Sequence, residues 1–174
     1  MSLIKSISGI RGTIGGRPGE NLTPIDIVKF SAAYGTWIKE GNKSKNKNVI
    51  VIGRDGRMSG KMVKEIVIST LSALGIDVID TDFSTTPTVE MAIGFLKADG
   101  GIIITASHNS KEWNALKLLN EKGEFISAKD GSKILELAEK EDFSFAEVGS
   151  LGTITRDETT LDKHIEAVVN YTLV

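Results

Sequence analysis

Apolar positions along this chain follow two different spacings, which predict two kinds of element. Stripes of apolar residues three and four positions apart predict helices over residues 24–40, 61–74, 87–97, 128–141 and 159–169. Short β-branched or alternating runs predict strands over residues 49–52, 76–79, 102–104, 114–119 and 124–126.

Residues at the ends of these segments sharpen the helix predictions. Thr23, Pro24 and Asp26 form the signature of a helix N-terminus, with a capping box between the threonine and the aspartate. Gly41 is predicted to end this first helix in a left-handed conformation. Thr86 is predicted to cap the third helix.

The order of elements predicts the fold class. Over residues 24–141 these segments follow one another as α, β, α, β, α, β, β, β, α, which is typical of an α/β protein. Helices that connect parallel strands cover both faces of a sheet, and the three late strands add an antiparallel hairpin at one side. The chain is therefore predicted to form a three-layer α/β/α domain with a mixed, largely parallel sheet.

The chain changes character from Leu151 onwards. A polar link is followed by an amphipathic helix with a displayed apolar stripe. We expect residues 1–155 to form the main domain, and residues 156–174 to be a linker and the first helix of a truncated second domain. His164 lies on this helix and is expected to be a surface residue rather than a ligand.

Composition narrows the classes of function. The 174 residues are 40% hydrophobic and 25% charged, with a net charge of -2, so no basic surface points to nucleic acid or to an anionic membrane. The absence of cysteine excludes disulfides, thiolate metal sites and cysteine nucleophiles. No apolar run approaches the roughly 18 residues of a membrane span, so the protein is predicted to be soluble and cytoplasmic.

The segment 99–120 carries the strongest sign of chemistry. A β-branched strand ends abruptly in a polar loop, residues 105–110, that contains Ser107 and His108. The loop lacks the Gly-x-Ser-x-Gly elbow of serine hydrolases, and the chain has no phosphate-binding Gly-x-x-x-x-Gly-Lys-Ser/Thr loop. A serine in such a place is able to carry a phosphoryl group. The alternative is an ordinary turn.

Arginines in two glycine-containing segments are further candidates for binding an anion. Arg11 lies in a glycine-rich segment, residues 7–19, which is either an anion-binding loop or a flexible lead-in. Arg54 and Arg57 lie in a loop after the strand 49–52, where open α/β sheets place ligand contacts. The structural alternative is that Asp55 pairs with a neighbouring arginine and fixes the turn.

Four segments resemble the α-D-phosphohexomutase family of phosphoglucomutases, phosphomannomutases and phosphoglucosamine mutases. Residues 105–109 (Thr-Ala-Ser-His-Asn), followed by 114–117 (Asn-Ala-Leu-Lys), resemble its phosphoserine loop. Residues 8–12 (Ser-Gly-Ile-Arg-Gly), 53–60 (Gly-Arg-Asp-Gly-Arg-Met-Ser-Gly) and 99–101 (Asp-Gly-Gly) are similar to three more of its motifs, in the same order. Residues 1–155 are thereby identified as domain I of this family.

The resemblance implies an enzyme that interconverts hexose 1-phosphate and hexose 6-phosphate through a bisphosphorylated sugar. It implies that Ser107 carries the phosphoryl group and that Lys117 is the general base. Arg11, His108 and Asn109 would contact the phosphosugar substrate, with Arg11 and His108 stabilising the group in transfer. The family also implies Mg²⁺, bound through the Ser107 phosphate, with the remaining ligands in the missing second domain. The fragment alone would then be inactive, and the rest of the full-length protein would be its partner.

A second hypothesis belongs to a different class of protein. The 174 residues are then a complete, non-catalytic module that binds a phosphosugar or another protein and retains the fold. Phosphate on Ser107 and turnover by the extended chain distinguish the two hypotheses.

Overall fold

One seven-stranded sheet organises the structure, a computed structural model that describes residues 2–6, 9–43 and 46–171. The strands are β1 (Ile4–Ser6), β2 (Gly9–Thr13), β3 (Val49–Arg54), β4 (Asp77–Phe83), β5 (Gly100–Ile104), β6 (Trp113–Leu119) and β7 (Ile154–Arg156). The helices are α1 (Pro24–Gly41), α2 (Gly60–Ala73), α3 (Thr86–Leu96), α4 (Ala128–Lys140) and α5 (Thr160–Val169), with a 3₁₀ turn at Val148–Ser150.

The strand order is β1-β2-β6-β5-β3-β4-β7. The four strands β5, β3, β4 and β7 run parallel, and β6, β2 and β1 join them in antiparallel pairs. The larger core lies between one face of the sheet and helices α1, α2 and α4, and a smaller core lies under α3 on the opposite face. The predicted α/β/α class with a mixed, largely parallel sheet is confirmed.

Gly100 allows β5 and α1 to lie close together. A side chain at Gly100 would collide with the hydroxyl of Tyr34 on α1. That hydroxyl lies 2.7 Å from the carbonyl oxygen of Leu119 and 3.2 Å from that of Gly101, so it joins β6 and β5 from the helix layer. Burial raises the pKa of the Tyr34 hydroxyl far above its ordinary range, and the group remains a neutral donor.

The segment before the first helix differs from its prediction. Its glycine content favoured a loop or a flexible lead-in, but residues 9–13 form β2, a full member of the sheet between β1 and β6. Gly9 has a φ of 123°, and a side chain there would overlap the carbonyl group of Leu116. Glycine therefore permits close strand pairing here, where its frequency had suggested mobility. Ile7 and Ser8 lie outside the described residues.

Strand β4 extends beyond its prediction. The strand was predicted to end at Ile79 and to be followed by a polar connection, yet it runs to Phe83 through three aspartates. Lys64 of α2 neutralises two of them, with Nζ–O distances of 2.6 Å to Asp80 and 3.0 Å to Asp82. A charged sequence forms this strand because a cation from another element lies against it.

Three smaller predictions about element ends were wrong. Gly41 is the last residue of α1, and the helix ends at Asn42 without a left-handed glycine. The cap of α3 is Thr85, whose side chain accepts a hydrogen bond from the amide of Thr88, and Thr86 is already helical. The predicted strand 124–126 is reduced to a single bridge between Leu119 and Phe125. The capping box of Thr23 and Asp26 is confirmed.

The last segment attaches to both the sheet and the helix layer. Strand β7 pairs in parallel with β4, and α5 contacts α3. His164 is half-buried, and its Nδ1 lies 2.9 Å from the hydroxyl of Thr88 on α3. The division of the chain after residue 155 stays a prediction. Within the described ranges, no helix combines the length and apolar character needed to cross a membrane.

Candidate active site

A cleft of about 300 Å³ opens beside the carboxyl end of β5. It contains all five residues predicted from the sequence to act in catalysis or binding: Arg11, Ser107, His108, Asn109 and Lys117. The other lining residues are Ser6, Gly9, Thr105, Ala106, Ala115 and Phe125. The fold thus gathers predicted residues from three separated segments into one site.

Strand pairing brings Arg11 to this cleft. In the antiparallel ladder of β2 and β6, Arg11 lies opposite Ala115. Side chains alternate between the faces of a strand, so Lys117, two residues beyond Ala115, lies on the same face as Arg11. The close approach of β2 at Gly9 makes this pairing possible.

Lys117 leaves β6 on the face opposite its leucine neighbours, as predicted. Leu116 and Leu118 are buried in the larger core, whereas Lys117 is half-buried at the cleft. Its Nζ lies 5.8 Å from the ring centroid of Phe125, within range of a cation–π contact.

The cleft is electropositive by the composition of its described lining. Arg11 and Lys117 carry positive charge, and neither makes an ion pair with another described residue. Aspartate and glutamate are absent from the described residues of the lining. The site therefore offers uncompensated cations to an anion.

Ser107 presents its hydroxyl from an unusual backbone conformation. The residue is exposed and has a φ of 54°, in the left-handed region that non-glycine residues seldom adopt. Its amide donates a hydrogen bond of 3.1 Å to the hydroxyl of Thr105. His108 Nδ1 lies 3.5 Å from the Ser107 hydroxyl, at the long limit of a hydrogen bond. The side chains of Ser107 and His108 are therefore adjacent, and the hydrogen bond from the Ser107 amide fixes the backbone that carries them.

Arg57 holds that loop from outside the cleft lining. Its Nη1 donates to the carbonyl oxygens of Ser110 at 2.8 Å and Trp113 at 2.9 Å, and its Nη2 donates to those of Ser107 and Asn109, both at 2.8 Å. Its Nε donates to Asp55 at 3.2 Å. All five N–H groups of the guanidinium are occupied. The sequence left open whether Arg57 binds phosphate or pairs with Asp55, and the structure selects the pairing.

Arg54 is also committed to a structural partner. Its Nε lies 2.7 Å from a carboxylate oxygen of Asp82, and its guanidinium stacks 3.8 Å from the ring centroid of Phe83. Burial of Asp82 acts to raise the pKa of its carboxyl group, but hydrogen bonds and charge from Lys64 and Arg54 outweigh burial and lower that pKa. Arg57 therefore has no free N–H donor, and Arg54 is buried beside Asp82 and Phe83.

Sequence reasoning missed the supporting role of Thr105 and Asp55. Thr105 donates to Asp55 at 2.6 Å while it accepts from the Ser107 amide. The order of strands contained the signal, since β3 and β5 are parallel neighbours whose following loops must meet at one edge of the sheet.

The described residues do not form a complete metal site. Within residues 2–6, 9–43 and 46–171, no group of three or more histidine, cysteine, aspartate or glutamate side chains is placed to bind a metal. Asp55, the carboxylate that contacts the serine loop, accepts from both Thr105 and Arg57. A metal at this cleft would need ligands from outside the described residues.

The three-layer fold and the cationic cleft at the ends of its strands define an α/β domain with an anion site around an accessible serine. Comparison with known proteins identifies the family. Residues 3–145 match the family model described as "Phosphoglucomutase/phosphomannomutase, alpha/beta/alpha domain I". The chain belongs to this family, as its four motifs predicted.

Relatives with curated names support the assignment. A phosphoglucomutase/phosphomannomutase of Thermococcus kodakarensis is 38% identical over 91% of this chain and 35% of its own length. A probable phosphoglucosamine mutase of Pyrococcus abyssi is 35% identical over 93% of this chain and 33% of its own length. The chain therefore spans about a third of these relatives.

Solved structures share the fold. A phosphoglucomutase/phosphomannomutase family protein of Burkholderia thailandensis superposes with a TM-score of 0.74 at 22% identity, over 95% of this chain and 36% of its own. A putative phosphomannomutase of Thermus thermophilus superposes with a TM-score of 0.74 at 23% identity, over 100% of this chain and 39% of its own.

Proposed function

We propose that this chain is the N-terminal domain of an intramolecular phosphotransferase that interconverts hexose 1-phosphate and hexose 6-phosphate. The observation that carries the proposal is the convergence of Arg11, Ser107, His108, Asn109 and Lys117 on one cleft without a lining carboxylate among the described residues. Family membership supports it. Activity, substrate and further domains belong to the whole protein, of which this chain would supply the phosphoryl-carrying part.

The proposed step moves one phosphoryl group from Ser107 to a sugar hydroxyl. A new bond forms between phosphorus and the sugar oxygen, and the bond between phosphorus and Ser107 Oγ breaks. Lys117, once it has released its own proton to solvent, takes the proton of the attacking hydroxyl, and the departing Ser107 oxygen takes a proton from solvent. The resulting bisphosphorylated sugar reorients and returns its other phosphoryl group to Ser107 by the reverse of the same step.

Arg11, His108 and Asn109 have the proposed role of binding the phosphosugar. Arg11 offers a planar fork of N–H donors, the group best suited to a phosphoryl group. His108 lies beside the Ser107 hydroxyl, where a hydrogen bond or a positive charge stabilises the three oxygens of the group in transfer. Asn109 supplies an amide that suits sugar hydroxyls.

Mg²⁺ is part of the proposal, with one of its ligands on this chain. An oxygen of the Ser107 phosphate would bind the ion, which supplies charge stabilisation during transfer. The remaining ligands would come from the second domain, since the described residues supply no carboxylate cluster. A cytoplasmic location completes the proposal.

The proposed substrates are hexose phosphates as a class, without a choice of one sugar. One named relative is a phosphoglucomutase/phosphomannomutase and another a probable phosphoglucosamine mutase, so the names of similar proteins differ in their sugar. The non-catalytic alternative is disfavoured because the candidate catalytic set is present and assembled in the cleft.

The test is phosphate on Ser107 together with turnover in the full-length protein. We expect mass spectrometry to find phosphate on the peptide that contains Ser107, and Ser107→Ala to lower turnover by about 10³-fold or more. Ser132→Ala is the matched control, because Ser132 is an exposed serine on α4 whose hydroxyl donates only to the carbonyl of Ala128. Full turnover by Ser107→Ala contradicts the proposal.

A further inference from the structure

Four carbonyl groups, three in the loop of residues 105–110 that carries Ser107 and one at Trp113, turn toward a single side chain. Arg57 donates hydrogen bonds of 2.8–2.9 Å to the carbonyl oxygens of Ser107, Asn109, Ser110 and Trp113. Carbonyl oxygens repel a phosphoryl group, because both carry negative charge. The guanidinium binds these oxygens behind the loop, and Arg57 is outside the lining of the cleft.

This arrangement fixes the direction of the peptide planes. The described part of the chain contains no cis peptide bond, and in a trans peptide the N–H group points opposite to the carbonyl of the preceding residue. The amides of His108 and Ser110 therefore point away from Arg57. These amides are hydrogen-bond donors on the side of the loop opposite to Arg57, and backbone N–H groups suit an anion.

Asp55 closes the arrangement around Ser107. One oxygen of Asp55 accepts from Arg57 Nε and from the Thr105 hydroxyl, which in turn accepts from the Ser107 amide. Arg57 also donates a hydrogen bond to the carbonyl oxygen of Ser107. Both the amide and the carbonyl group of Ser107 are thus held, which stabilises its left-handed backbone.

We propose that Arg57 is a positioning residue that holds Ser107 in its reactive orientation and keeps the loop amides directed toward the phosphoryl group. The proposal rests on the proposed function of Ser107 as phosphoryl carrier. The proposed role depends on the arrangement of the Arg57 N–H donors. A lysine at this position would keep the positive charge but would have only three N–H donors, all on one atom. Five bonds to four carbonyls and a carboxylate need the planar fork.

The test compares Arg57→Lys with Arg54→Lys in the full-length protein. The two arginines have equally covered side chains, each 11% exposed, and each pairs with an aspartate, but Arg54 makes no contact with the serine loop. Two quantities are measured: the rate of Ser107 phosphorylation by glucose 1,6-bisphosphate, and amide hydrogen exchange in the peptide that covers residues 105–113.

We expect Arg57→Lys to slow phosphorylation on the order of 10²-fold, with little change in the concentration of bisphosphate that gives half the maximal rate. We expect faster amide exchange in residues 105–113 of this variant only. Arg54→Lys should lower the melting temperature to a similar extent and leave both loop measurements near those of the wild type.

Two results overturn the proposal: equal effects of the two variants on the loop, or phosphorylation of Arg57→Lys within about threefold of the wild type. If wild-type Ser107 takes no phosphate from glucose 1,6-bisphosphate or from the corresponding mannose and glucosamine bisphosphates, the proposed function fails, and amide exchange alone decides the role of Arg57. If amide exchange in residues 105–113 is then faster in Arg57→Lys and unchanged in Arg54→Lys, the conclusion that Arg57 holds the loop stands. Equal exchange in both variants refutes it.

Discussion

The loops after β3 and β5 lie at the same edge of the sheet and differ in what they offer to a ligand. Arg54 ends β3 and Arg57 lies in the loop after it, and each guanidinium group pairs with an aspartate. The loop after β5 contains no lysine or arginine between Thr105 and Asn109, yet it lines the cleft. The number of arginines in a segment therefore does not predict anion binding unless the partners of their N–H groups are known.

Arg11 and Lys117 sharpen the contrast. They come from neighbouring strands and face the cleft without an ion pair to any other described residue. The loop after β3 holds the loop after β5, and in the proposed function the strand-borne cations and the loop after β5 would supply the chemistry. Each of the following predictions tests one side of this division of roles.

Removal of the Lys117 amine should have the largest effect. Lys117→Met in the full-length protein should lower turnover by about 10²–10⁴-fold, since general base catalysis contributes on this scale. Melting temperature should change little, because Lys117 makes no ion pair with the described residues. Lys122→Met, in an exposed turn, is the control for loss of a positive charge. Normal turnover by Lys117→Met would remove Lys117 from the chemistry.

Loss of the Asp55 carboxylate should be the largest change in stability. Asp55→Ala leaves Arg57 Nε, the Arg57 amide and the Thr105 hydroxyl without their acceptor, and we expect the free energy of unfolding to fall by about 2–3 kcal/mol in urea titrations. Asp55→Asn retains an oxygen that can accept from Thr105 and should cost less. An equal loss in both variants would show that charge alone matters.

The charged cluster at β4 should make stability depend on acid pH. The pKa of Asp82 in the folded protein lies below its ordinary value of 3.8, so the unfolded chain binds more protons in this range. The stabilisation is present above that ordinary value and is lost as pH falls through the folded pKa. Asp82→Asn should lose less stability than the wild type between pH 7 and pH 3 in urea titrations.

Asp142→Asn is the control for the acid titration, because Asp142 is an exposed carboxyl group beyond the end of α4. Its loss of stability with acid should equal that of the wild type. A wild-type response in Asp82→Asn as well would mean that other carboxyl groups determine the acid dependence.

The stacking of Phe83 on Arg54 should give the smallest effect. Phe83→Leu removes a cation–π contact at 3.8 Å on an exposed ring, and we expect a loss of about 0.5–1 kcal/mol in the free energy of unfolding. Phe95→Leu, on another partly exposed phenylalanine, measures the change of side chain without that contact. Equal losses in the two variants would show that the stacking contributes nothing of its own.

Much of the fold was predictable because local signals were strong. The helix starts at Pro24 and Ala128 follow from capping residues, and the strand at residues 102–104 follows from its β-branched run. The strand at residues 9–13 was not predictable from periodicity, since its glycines imitate a loop. Its stability comes from β6, which is distant in sequence.

By itself, the sequence determined the family, the α/β class and the set of residues that belong to the site. These properties depend on residue type and local order, which a linear pattern retains. Only the tertiary structure decided which arginines are free, because that depends on the partners within hydrogen-bond distance of each guanidinium. Arg57 is seen to support Ser107 because the fold places four carbonyl groups around it, and the pairing of β2 with β6 places Arg11, already a candidate from the sequence, in the cleft.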